Sequence, residues 1–366
     1  MSTLRKPPVT FSKKDPAKFF RTIHTQVNEY FKTNGLAKTG NMELYIKCIF
    51  MYALYLVPLI LIFTPWVSGW GIVLCYALMG MGAAGVGLCV MHDAIHGTFS
   101  RHKLVNQIMG YSMNMVGGSD FTWKIQHNVL HHGYTNIYGL DEDIHDKAFL
   151  RLSPSGKLKS YHRFQHVYAF LLYSLATISW VLKKDFVQLR EYTEMGLTEK
   201  HGFNPKKEFW VMLGTKIVYV FILLVLPLLA GLPVGWVVAG FLLKHLISGL
   251  YVTIIFQLAH VVEGPQHHDT PQTGTMENTW AIHQLSTTAN FACKNRLVTW
   301  MVGGLNYQIE HHLFPYISHV HYREIAKIVK KAAADCNLPY HEFKHFRQAV
   351  ASHVRVLRQL GHGLAV

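Results

Sequence analysis

CIFMYALYLVPLILIFTPWVSGWGIVLCYALMGMGAAGVGLCVM, residues 48–91, contains no Asp, Glu, Lys or Arg. About 20 apolar residues suffice for a helix to cross the hydrocarbon core of a bilayer. The stretch is long enough for two, and Thr64-Pro65 and Ser68-Gly69 interrupt it. The pattern predicts spans at about 46–64 and 69–91 joined by a short turn. Gly80, Gly82, Gly85 and Gly87 in the second suit close helix packing. A similar apolar pair follows at about 209–230 and 233–258, around the turn AGLPVG.

Composition agrees. The 366 residues are 50% hydrophobic and 15% charged, against about 25% charged in soluble proteins. The reading is an all-α integral membrane protein, with four transmembrane helices in two hairpins. Residues 92–163 and 259–366 form a cytoplasmic helical cap, and 1–366 make one membrane domain. Both turns lack charge while the flanks are basic, which puts the termini on the cytoplasmic side. The net charge of +14 fits a surface beside anionic lipid. Lys13, Lys14, Lys183, Lys184, Lys330 and Lys331 could equally receive an acidic protein or an acyl-carrier headgroup. The basic residues are scattered and no binding motif accompanies them, which argues against nucleic acid.

Residues 18–32 place Phe19, Phe20, Ile23, Val27, Tyr30 and Phe31 at helical spacing, an amphipathic helix too polar to span. Residues 164–182 are apolar enough to cross marginally. An interfacial or half-entering helix is the better reading, because it keeps all histidine clusters on one face. Lys244 and His245, deep in the fourth span, read as a local hydrogen-bonded pair or a substrate contact. The N-terminus, MSTLRKPPVTFSKKDP, has no apolar core and is not a cleavable signal peptide. Five cysteines without C-x-x-C spacing make neither a disulfide framework nor a zinc ribbon.

Histidine is the anomaly: there are 24, against 21 Asp and Glu together. His92 and His96 close the second span as HDAIH. His127, His131 and His132 follow in HNVLHH. Gln308, His311 and His312 stand at i, i+3 and i+4 in QIEHH, and His260 ends the fourth span. One H-x-x-x-H pair is weak, since a lone histidine is more often a core or surface residue. Three clusters at ligand spacing on one predicted membrane face point to metal. Imidazole suits iron, zinc, copper and nickel. A zinc ion takes about four ligands, so eight histidines suggest two metals. Ligand histidines need acceptors for their second ring nitrogen. Asp93, Asp141, Glu142, Asp143, Glu263 and Glu310 stand close enough in sequence to serve, or to be solvated charges. His283, in WAIHQ, reads as packing or substrate contact.

HDAIH, HNVLHH and QIEHH, in this order and with this hydropathy, resemble the three histidine boxes of the membrane fatty acid desaturases, over nearly the whole chain. The glutamine opening the third box, GYTNIYGLDEDI and WAIHQLSTTANF resemble the front-end (delta-6/delta-5-like) group, which desaturates between an existing double bond and the carboxyl end. By position, the resemblance implies metal ligation by His92, His96, His127, His131, His132, His311 and His312, with His260 matching the extra histidine near the end of the last span. Gln308 stands where many relatives carry a ligand histidine; its oxygen either binds metal weakly or holds a water or a neighbouring ligand by hydrogen bonds. The resemblance further implies two iron ions, dioxygen as co-substrate, an acyl-CoA or glycerolipid substrate, and no catalytic side chain beyond the metal centre. No HPGG haem motif is present, so electrons are expected from a separate ferredoxin or cytochrome b5 type protein. The alternatives are a related diiron hydroxylase or acetylenase, a metal transporter, and a zinc-dependent membrane hydrolase.

Overall fold

The computed structural model describes residues 9–15, 18–145 and 149–364; the first eight residues of the polar N-terminal stretch lie outside them. Among the described residues, four helices are long and apolar enough to cross a membrane: Met42–Leu61, Trp70–Ile95, Pro205–Leu229 and Val234–His260. A fifth crossing arises only if Ser160–Ser174 and Ala176–Glu194, bent by 55° at their junction, count as one span. The interfacial helix expected at 164–182 is thus a longer, broken pair. The second and fourth spans run further than the hydropathy suggests, to Ile95 and His260, because their polar last turns continue the helix.

The chain divides into two compact units. The first comprises Asn41–Ile125 and Phe170–Ile254. Asn41 caps the first span, its side-chain oxygen accepting from the backbone of Glu43 at 3.0 Å. Asn204 and Pro205 start the third in the same way. Small residues set the packing. A Cβ on Gly80 would lie 2.6 Å from the Lys244 carbonyl oxygen, and one on Gly82 would lie 2.6 Å from the Tyr55 backbone nitrogen. Gly87 faces open space. Trp70 and Trp236, at the two hairpin turns, meet edge to face at 5.0 Å, so both turns lie at the same end of this unit.

Buried basic groups inside this unit are hydrogen-bonded locally. The Lys216 ammonium donates to Asp185 at 2.7 Å, to Trp180 O at 2.8 Å and to Gly117 O at 3.0 Å. Lys244 donates to the Tyr219 hydroxyl at 2.6 Å, which meets His245 Nε2 at 2.9 Å, and His245 Nδ1 meets Thr177 at 3.0 Å. Lys244 and His245 are therefore joined in one hydrogen-bonded chain, the local reading of the pair. Residues 92–125, read from the sequence as cap, pack with the spans instead. Ser112, Met113 and Asn114 are buried, and the Tyr55 hydroxyl donates to Met115 O at 3.1 Å.

The second unit comprises Ser2–Gly40, Gln126–Ala169 and Ile255–Val366. The expected amphipathic helix forms as Phe19–Thr33, burying Phe19, Ile23, Val27 and Phe31. Its apolar face packs on protein, against Ile325, Val329 and Ala333 of the helix Tyr322–Asp335 and against Ile309, Leu313 and Phe314. Two short parallel pairings complete the described part: Thr10–Phe11 with Thr275–Met276, and Ala289–Phe291 with His341–Phe343.

Gly82→Leu is expected to abolish monodisperse protein in detergent, because backbone sits where the side chain must go. Gly87→Ala is expected to stay within about 0.5 kcal/mol of the parent. Yield and thermal midpoint of the two variants, measured side by side, check this.

Candidate metal centre

Box three is the short helix Gln308–Leu313, in which all six residues are buried. Its start is held by Asn290, whose side-chain oxygen accepts from Ile309 N at 2.9 Å. Box two lies mostly on a π-helical segment, Lys124–His131, not on the α-helix its spacing suggests. Such wide turns are rare and concentrate at functional sites. Here the turn brings the His127 and His131 rings nearly parallel, 18° between planes and 5.5 Å between centroids.

Six histidines of the second unit converge in two groups. In the first, His132 Nε2 lies 2.9 Å from His311 Nε2 and 3.2 Å from His127 Nε2, and the last two are 3.4 Å apart. Three ring nitrogens in a triangle cannot satisfy one another, since a neutral imidazole carries one proton. A cation with nitrogen ligands at about 2.0–2.1 Å spaces neighbouring nitrogens by roughly 3–3.4 Å. The second group is His131, His260 and His312, whose ligand atoms lie within 4.8 Å of one another.

The opposite ring nitrogens settle which atom faces inward. His260 Nδ1 donates to Thr287 O at 3.2 Å, and His312 Nδ1 donates to Gln284 Oε1 at 2.8 Å. His131 Nδ1 donates to Asp141, with its two oxygens at 3.0 and 3.1 Å. Each bond puts the proton on Nδ1 and the lone pair on Nε2. The Nε2 atoms of His131 and His260 are buried and have no hydrogen-bond partner. An enclosed, lone-pair-bearing imidazole set of this kind fits iron or another first-row cation.

Asp141 is itself fixed. Fully buried, it accepts from the backbone of Asn136 at 2.9 Å and of Asp143 at 3.0 Å. The loop wraps around it with Asn136 and Gly139 at positive φ. Burial pulls the His131 ring down, but Asp141 and Asp143 outweigh it and raise the ring to about 9. Asp143 lies 3.4 Å from the same nitrogen and also accepts from Gln126 at 2.7 Å.

The other singled-out residues divide. In the first unit, His92 is on the last turn of the second span and His96 ends it, with their rings 4.8 Å apart. Asp93 is 4.0 Å from His92 Nδ1, beyond hydrogen-bond reach. In the second unit, Gln308 is buried and its Nε2 has no hydrogen-bond partner. Two acids expected on histidines go elsewhere. Glu263 is half-exposed, pairing with Arg355 and accepting from Ser352 at 3.0 Å. Glu310 accepts from Asn290 at 2.8 Å and Tyr340 at 2.9 Å, and burial pushes its carboxyl up to about 7 against those bonds. Glu310 shares its helix with His311 and His312 but points to another side, and Glu263 lies in the bend just past the end of the fourth span. His283 is packing, with Nε2 on Thr135 O at 2.7 Å and its ring against Phe11. Sequence reading missed Gln284, Thr135, Thr287 and Tyr322, the last with its hydroxyl 3.1 Å from His311 Nδ1. Nearness to the WAIHQ and HHGYTN stretches signalled Gln284, Thr135 and Thr287, and nothing in the sequence signalled Tyr322.

Apolar spans joined to buried, converging imidazoles define a histidine-rich metalloprotein of the membrane. The chain belongs to the fatty acid desaturase family, whose profile matches residues 44–344. It is 33% identical to an sn-1 linoleoyl-lipid 6-desaturase of Synechocystis sp., over 94% of this chain and 95% of that protein. It is 32% identical to the sn-1 linoleoyl-lipid 6-desaturase of Arthrospira platensis, over 96% and 94%. It is also 32% identical to an acyl-lipid (8-3)-desaturase of Physcomitrium patens, over 98% of this chain and 74% of that one. These relatives are of the front-end type, and the chain is an oxidoreductase of lipid metabolism.

A proton on His131 competes with a metal. Without metal, the raised ring stabilises the fold fully below its ordinary value of 6.5, and that contribution is lost as pH rises through about 9. Metal retention runs the opposite way and is expected to strengthen from pH 6 to 9. Asp141→Asn should move that rise to lower pH while weakening retention by about 10–100-fold. Chelator competition across the pH range measures both.

Proposed function

We propose that this chain is an acyl-lipid desaturase that inserts a cis double bond on the carboxyl side of an existing one, and that residues 1–366 act as one membrane domain. The observation that carries the reading is the pair of convergent imidazole groups, His127 with His132 and His311, and His131 with His260 and His312. The ligand set proposed is these six with His92 and His96, which stand in the first of the three boxes. Gln308, with its enclosed amide, holds a water beside the centre. The lipid-bound substrate is favoured because the relatives are named for linoleoyl-lipid and acyl-lipid substrates; an acyl-CoA substrate is the second reading.

Two bound iron ions supply the redox chemistry that activates dioxygen. The protein's own groups position and shield. Asp141, Thr287 and Gln284 keep the protons of His131, His260 and His312 on Nδ1. Overall, two hydrogens leave adjacent methylenes, and dioxygen is reduced to two waters with two electrons and two protons from outside the chain. The electrons come from a separate carrier of ferredoxin or cytochrome b5 type, received on the basic surface that includes Lys330 and Lys331. The termini and centre are assigned to the cytoplasmic face by the positive-inside rule, since both turns are uncharged and the flanking segments basic.

Expression in a host fed defined fatty acids, with double-bond mapping by lipid class, tests this. A new double bond nearer the carboxyl end, appearing first in glycerolipid, is expected. Appearance in acyl-CoA first selects the second reading, and a hydroxylated product overturns desaturation. His311→Ala is expected to abolish product while the protein still inserts. Gln308→His is expected to alter activity, and wild-type behaviour there reduces Gln308 to packing.

A further inference from the structure

WAIHQ contains a second polar residue whose place differs from that of His283. Gln284 lies on the helix Trp280–Ser286, whose start Thr279 caps. It is fully buried. Its Nε2 donates to His132 O at 2.9 Å. Its Oε1 accepts from the Thr135 hydroxyl at 2.8 Å and from His312 Nδ1 at 2.8 Å. The carbonyl of His132 only accepts, so the amide NH2 must face it, and the oxygen must face Thr135 and His312. That oxygen also only accepts, so His312 Nδ1 must carry the proton. One side chain thus ties the backbone of box two to a ring of box three and leaves that ring a single tautomer.

We infer that Gln284 is a positioning residue for His312, and that the metal position formed by His131, His260 and His312 depends on it. The inference rests on the reading of His312 as a ligand. An amide is a neutral acceptor, unlike the carboxylate on His131. It orients the ring without adding charge, and its donor half anchors it. Asn136 fixes the same neighbourhood from the other side, donating to His260 O at 3.2 Å and Thr287 O at 3.3 Å. It does not touch a ring nitrogen there, so the tautomer of His312 is left to Gln284 and Thr135.

The test loads purified full-length protein with iron(II) and titrates it with a chelator. Metal content and Mössbauer spectrum are read, with no activity measured. Wild type is expected to hold two irons. Gln284→Met, of similar length but without an acceptor, is expected to drop to one at 10–100-fold lower chelator, with the spectrum of an uncoupled iron. Gln284→Glu, which keeps an acceptor oxygen, is expected to retain both irons with a changed spectrum. His283→Phe removes a buried bond from the same helix and is expected to hold both as wild type does. If Gln284→Met does not accumulate, Gln284→Asn, one methylene shorter, is read in its place. Two irons held at wild-type strength in Gln284→Met, or equal losses in His283→Phe, overturn the inference alone. A wild type that takes up no iron overturns the parent reading of the centre, and this one with it.

Discussion

Six imidazole rings cannot share one buried space on their own terms. Each neutral ring has one proton to give, and His127, His132 and His311 point three Nε2 atoms at one another within 3.4 Å. Adding protons would set buried like charges side by side, at a cost of several kcal/mol each. A cation resolves both difficulties, and the surrounding structure is arranged for that outcome. The far nitrogens of His131, His312, His260 and His311 are occupied by a carboxylate, an amide, a backbone carbonyl and a phenol in turn. The loop 135–143 turns around Asp141, which accepts from the backbone of Asn136 and Asp143.

The span unit answers a different constraint, the cost of charge and polar backbone away from water. Lys216 meets it with a carboxylate and two carbonyls, Lys244 with a phenol and an imidazole beyond it. Close contact at Gly80 and Gly82 supplies packing where no hydrophobic force separates helix from lipid. A buried ion pair is rarely a net stabiliser against an apolar substitute, but removing one partner is strongly unfavourable. Lys216 and Asp185 are therefore bound to each other as a pair.

Much of this was legible in the sequence because hydropathy is a sum over many residues. The charge-free run 48–91 located a hairpin without regard to any one side chain. The histidine boxes were legible because their letters are rare. What escaped were single contacts made across long separations. Nothing near Glu263 announces Arg355, and nothing near Glu310 announces Tyr340, so both acids were assigned to the histidines beside them in the chain. Residues 92–125 were assigned to the cap as part of the stretch that follows the second span, yet they belong to the span unit and Ser112 and Asn114 are buried in it. Gln284 was passed over because its neighbour is a histidine.

The π-helical turn under box two bears on how such spacings are read. On an α-helix, positions i and i+4 differ by about 40° in direction, which splays two rings apart. On the π-helical segment Lys124–His131 the two ring planes instead lie 18° from parallel. The same five letters can therefore encode two geometries, fanned or stacked, and only the backbone decides between them. A single deletion in this segment that restored an α-turn would leave every histidine of the box in place by name, yet aim His127 and His131 apart.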